Sequence, residues 1–151
     1  MTPQDVVGVW RLVSYTEAGE DGAPVAGPLG GAPEGLLVYT ADGHVAVSMM
    51  KTGDGPAPES YMGYSGHWRL AGDEMTHEVV VSAHPAMAGS SQARRVALDG
   101  GLLSLRGTAV TPVGGRLPER VLTWRRARPA DRLGEKNPSD MNDVNDVKET
   151  H

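Results

Sequence analysis

Three side-chain types that could do chemistry together recur at matched places along the middle of this chain: Tyr64, His77 and Arg94. A phenol donates to a carbonyl or acts as a weak acid, and an imidazole is the natural general base or acid near neutral pH. A guanidinium holds an enolate or a carboxylate. Together they could promote enolisation, dehydration or ring closure without a cofactor. The same three groups could equally fix the orientation of a passively bound molecule, or form an internal hydrogen-bond network that sets strand register. Arg94 weighs against the last alternative, because no Asp or Glu falls on the inward faces to pair with it.

What places the three groups together is a period of two. Tyr64, Gly66, Trp68 and Leu70 share one face of a segment, with Ser65, His67 and Arg69 on the other. Met75, His77, Val79, Val81 and Ala83 alternate with Thr76, Glu78, Val80, Ser82 and His84, and Arg94, Val96 and Leu98 alternate with Arg95, Ala97 and Asp99. A strand sends successive side chains to opposite sides of its sheet, so Tyr64, His77 and Arg94 all point inward. Three inward polar groups on consecutive strands call for partners or for a polar ligand. The remaining inward positions include Leu37, Tyr39, Val45, Val47, Met49, Trp68, Val79, Val81, Leu103 and Trp124. Of these, Tyr39, Met49, Trp68, Val79, Val81, Leu103 and Trp124 are the expected ligand-binding lining, which suits a mainly apolar guest carrying one or two oxygens.

Five further strands complete the pattern. Residues 2–7 read as one helical turn, with Thr2 as cap and Pro3 at the first helical position. Residues 9–16 follow as a strand, with Trp10, Leu12 and Ser14 on one face. Residues 35–40 and 44–50 form a hairpin around Asp42-Gly43, and residues 102–108 follow the turn at Asp99-Gly100-Gly101. Residues 120–126 close the set. Residues 17–34 are rich in Gly and Pro without periodicity, and read as a long loop serving as lid, rim or disordered segment. Eight consecutive antiparallel strands with one apolar face each close most economically into an up-and-down barrel, because closure removes both edges. An open sandwich is the alternative. After residue 127 the pattern stops, and residues 128–151 are polar, mostly acidic and expected to be disordered.

Composition narrows the partners. The chain has 151 residues, which suits one domain, and a net charge of −5, with no basic run to hold nucleic acid or anionic lipid. It has no cysteine, so disulfides, thiolate metal sites and thiol nucleophiles are out. No histidine pair has the short spacing of a zinc site, so neither metal nor cofactor is expected. His44 and His67 fall on outward faces and His84 in a loop. With no basic-then-apolar leader and no apolar run long enough to span a membrane, the expectation is a cytoplasmic protein, with a homodimer open.

Several pieces in order along the chain carry a resemblance: Gly8-Val9-Trp10, the run Trp10-Arg11-Leu12-Val13-Ser14, Pro33-x-Gly35, Asp42-Gly43, Tyr61-x-x-Tyr64-x-Gly66, His77, Arg94 and Leu122-Thr123-Trp124-Arg125-Arg126. Together they resemble the small bacterial and fungal lipocalin-like domain family over roughly residues 6–127. The resemblance implies an all-β, eight-stranded barrel with a cavity and a short N-terminal helical turn. It also implies that Trp10 sits at the closed end under an arginine of the last strand, Arg126. Related barrels are carriers or cofactor-free cyclases and isomerases of natural-product pathways, so the resemblance leaves three readings open. One is a cyclase, isomerase or dehydratase of a polyketide-like or terpenoid-like molecule, one a passive carrier, and one a filled barrel that acts through its outer face.

Overall fold

The computed structural model describes residues 1–53, 60–109, 112 and 114–129. The barrel ends within them, and the expected disorder of the tail from residue 130 onward lies outside the described residues.

Helix α1 (Pro3–Val6) opens the chain, with the Asp5 carboxylate accepting the Thr2 N–H at 2.8 Å. Nine strands follow among the described residues: β1 (Gly8–Ala18), β2 (Pro24–Ala26), β3 (Glu34–Tyr39), β4 (His44–Met50), β5 (Tyr61–Ala71), β6 (Glu74–Ser82), β7 (Ser91–Asp99), β8 (Leu102–Thr108) and β9 (Glu119–Arg126). Each strand from β3 onward pairs antiparallel with the next, and β1 pairs with both β3 and β9. The result is a closed eight-stranded barrel, with the three-residue β2 appended to the outer part of β1.

Its two ends differ because their connections differ. At one end lie α1 and three tight turns, including Gly100-Gly101, where both residues have positive φ, as the commonest two-residue hairpin turn requires. At the other end β1, β4, β6 and β8 give way to connections that are longer in sequence, numbered 19–33, 51–60, 83–90 and 109–118. The first end is packed solid. Val6, Trp10, Tyr39, Trp68, Met75 and Leu103 are all buried there, and the Trp10 and Trp68 indoles donate to Val6 O and Thr40 O, each at 2.9 Å. The Arg126 guanidinium lies 4.2 Å over the Trp10 ring and donates to Val7 O and Asp5 O, each at 2.8 Å. This is the pairing expected from the resemblance. Gly8 makes room for it: its φ is +135°, and a Cβ there would stand 2.5 Å from Arg126 Nη1.

Two bulges and one connection depart from strict alternation. In β1 the register slips between Leu12 and Ser14, so Tyr15 rather than Ser14 turns into the core. Between β5 and β6 the partners step from Ser65–Val81 to Gly66–Val79, which leaves Val80 as the extra residue. Val81 therefore faces out, 58% exposed, against the expectation that it lines the interior, and Ser82 takes the inward position opposite Tyr64. The connection 19–33, expected to lack structure, carries β2 and a fully buried Leu29 that belongs to the core.

Candidate functional site

His77 is held from two sides. It points inward from β6, fully buried, and two tyrosines reach its ring: Tyr39 Oη lies 2.7 Å from Nε2 and Tyr64 Oη lies 2.6 Å from Nδ1. Tyr64 is on the neighbouring strand, but β3 is three strands away, so the Tyr39 bond crosses the interior of the barrel. Both tyrosine rings meet the imidazole edge-on, at centroid distances of 5.4 and 5.7 Å. Tyr39 also packs on Trp68 at 5.0 Å, which fixes it from behind.

The protons of this trio follow from accounting. Burial, helped by the positive charge of Arg94, pushes His77 down to about 3, so at neutral pH the ring is neutral with one N–H and one bare nitrogen. Burial pushes Tyr64 up to about 12, with Arg94 partly opposing it, and Tyr39 well above the usual phenol range. Both phenols therefore keep their protons. Tyr39 is buried, and His77 is its one hydrogen-bond partner among the described residues. If Tyr39 donates to Nε2, the ring carries its hydrogen on Nδ1 and donates to Tyr64 Oη. The Tyr64 hydrogen is then left for the cavity. The opposite tautomer would strand the Tyr39 hydrogen in the core at a cost of about 1–3 kcal/mol.

Arg94 comes from β7 and lies across β8 at Gly107, where a Cβ would stand 2.7 Å from Arg94 Cδ. Its Nη1 donates to Ala93 O at 2.9 Å and its Nη2 to Gln92 Oε1 at 3.2 Å. Gln92 in turn donates to Ser90 Oγ at 3.1 Å, and Ser90 to Met87 O at 2.6 Å, so the guanidinium is tied to the short 3-10 turn Pro85–Met87. Arg94 stands in no ion pair among the described residues.

Tyr64, His77 and Arg94 meet on the wall of one cavity of about 80 Å³, open toward the end with the long connections. Of the expected lining, Met49 and Trp124 are present there. Tyr39 stands behind His77, while Trp68 and Leu103 fill the closed end. Val79 is buried but off the cavity, its backbone bonded to Gly89 and Ser90, and Val81 is outside the barrel. The structure adds Tyr15, Met62, Leu122, Ser82, His84 and Met87 to the wall. Leu122 was visible by alternation, Tyr15 and Ser82 depend on the bulges, and His84 and Met87 arrive on an irregular connection with no periodic signal. The Trp124 indole N–H is buried without a partner among the described residues. No group of three metal-ligating side chains is found among them either.

No curated protein matches the chain in sequence. Among solved structures, a lipoprotein YedD from Klebsiella pneumoniae is similar over 96% of this chain and 86% of its own, with 11% identity and a TM-score of 0.42. A family model described as a lipocalin-like domain matches residues 7–127, from the residue after α1 to the residue after β9. With that match spanning the whole closed barrel, the chain belongs to the lipocalin-like domain family.

Proposed function

We propose that the barrel binds a small, mainly apolar molecule and fixes an oxygen of that molecule between Tyr64 and Arg94. The observation that carries this reading is a mainly apolar cavity whose wall holds the Tyr64 hydroxyl and a guanidinium with no carboxylate partner among the described residues. The volume of about 80 Å³ lies below the several hundred typical of drug-sized ligands, so the guest is small or enters by one end only. A polyketide-like or terpenoid-like molecule fits in the second manner, its remainder at the mouth among the long connections.

Two donors on the wall of one cavity also favour a chemical role, since donors placed against a carbonyl stabilise an enolate as it forms. In that role Tyr64 and Arg94 polarise a carbonyl toward enolisation, dehydration or ring closure. His77 then acts as a positioning residue: its nitrogens are both engaged and its basicity is low.

The test is a titration of ketones and their parent hydrocarbons, followed by tryptophan fluorescence, with Trp124 in the wall as reporter. Tyr64→Phe is expected to weaken the ketones about threefold to tenfold and to leave the hydrocarbons alone, as the loss of one neutral hydrogen bond would. Equal affinity of ketone and hydrocarbon for the unmodified protein would overturn the reading.

A further inference from the structure

We infer that the head group this cavity takes is an anion, a carboxylate in the first instance, and that Gly107 is the residue that positions Arg94 to receive it. The inference deepens the binding reading above and rests on it.

A guanidinium offers five N–H groups. Two of them are committed, to Ala93 O and Gln92 Oε1, and both bonds hold the side chain rather than neutralise it. The half-buried side chain lines the same cavity as Tyr15, Tyr64 and His77. Arg69, Arg95, Arg106 and Arg120 each have a carboxylate partner, whereas the arginine on the cavity wall has none among the described residues.

An arginine merely left to solvent needs no seat. This one has a built seat: Gly107 supplies a strand position without a side chain, and Cδ, Nε and Nη1 of Arg94 would lie 2.7, 3.1 and 3.3 Å from a Cβ placed there. Gly107 has no positive φ, so its glycine is explained by this close approach and not by backbone conformation. Gln92 and Ser90 then hold the far side of the fork against the 3-10 turn. Tyr64 lines the same cavity. A planar guanidinium and a phenol donor on one cavity wall offer N–H and O–H groups to the two oxygens of a carboxylate, which an ammonium head group cannot accept and an alcohol accepts only in part.

The experiment compares octanoate, octan-1-ol and octylamine by calorimetry at pH 7.5. Octanoate is expected to bind at least tenfold more tightly than octanol, in line with a charge-assisted hydrogen bond, and octylamine not at all. The ratio of octanol to octanoate dissociation constants is expected to fall toward one in Arg94→Gln. It falls likewise in Gly107→Val, which keeps the charge but removes its seat; Gly107→Ala gives a smaller loss and serves where the valine variant does not fold. Octanol binding as tightly as octanoate would overturn the anion assignment while leaving the cavity as a binding site. Failure of all three compounds to bind would overturn both. A ratio unchanged by Gly107→Val and Gly107→Ala would overturn the positioning role of Gly107 alone.

Discussion

His77 shows how burial lowers the proton affinity of an imidazole. In water an imidazole titrates near neutral pH, but here the ring is enclosed, bonded at both nitrogens and beside Arg94, and its affinity for a proton falls to about 3. This has a consequence for stability with a definite sign. Between about pH 3 and the ordinary imidazole value of 6.5 the unfolded chain binds a proton at His77 that the folded chain does not. Acid therefore favours unfolding across that window, with a slope approaching ~1.4 kcal/mol per pH unit, and above it His77 contributes no pH dependence. Urea unfolding at pH 7, 6, 5 and 4 is expected to show this fall, and His77→Gln, which cannot titrate, is expected to lose that component of the slope. Identical slopes in the two proteins would mean that the ring is hydrated in the folded state.

At the scale of elements, alternation places Tyr64, His77, Arg94, Met49 and Trp124 on one cavity wall, because a period of two survives wherever strands run without interruption. It fails at two bulges. An extra residue at Val13 brings Tyr15 inward and one at Val80 sends Val81 out, and nothing in the local residue types marks either insertion. Gly66 gives a hint only in retrospect, since a Cβ there would stand against Glu78 O. The connection 19–33 was illegible for a different reason: its Gly and Pro content masks a single anchoring residue. Leu29 is fully buried within the core cluster, and the Gly27–Gly30 bridge closes the turn around it. The connection is therefore part of the fold, and its value can be measured. Leu29→Ala is expected to cost about 2–5 kcal/mol in chemical denaturation, the range for truncating a buried leucine. A cost under ~0.5 kcal/mol, typical of exposed positions, would mean that the connection rides on the barrel without anchoring to it.

For the molecule as a whole, the decisive join is the seam between β1 and β9, the first and last strands of the barrel, since closure there removes both sheet edges. The seam is clasped at each end by an arginine of β9. At the closed end Arg126 covers Trp10 and binds the carbonyls of Asp5 and Val7. At the open end Arg120 Nε donates to Glu17 Oε1 at 3.1 Å, with the two side chains only 18% and 12% exposed. That low exposure separates this pair from the Arg95–Asp73 pair, which has a similar length of 2.9 Å but 73% and 61% exposure. A solvated pair contributes at most ~1 kcal/mol, whereas removing one partner of a shielded pair strands the other charge away from water. Arg120→Gln is therefore expected to destabilise the barrel by about 1–3 kcal/mol, and Arg95→Gln by less than ~0.5 kcal/mol. Adding Glu17→Gln to Arg120→Gln is expected to recover part of the loss, because no unpaired carboxylate then remains at the seam. Hydrogen exchange reads the same clasp from the backbone: amides at the open end of β1 and β9 should lose protection in Arg120→Gln ahead of those in β4 and β5. If both arginine variants cost the same and the seam exchanges no faster, the backbone ladder alone holds the barrel closed, and Arg120 is one more surface charge.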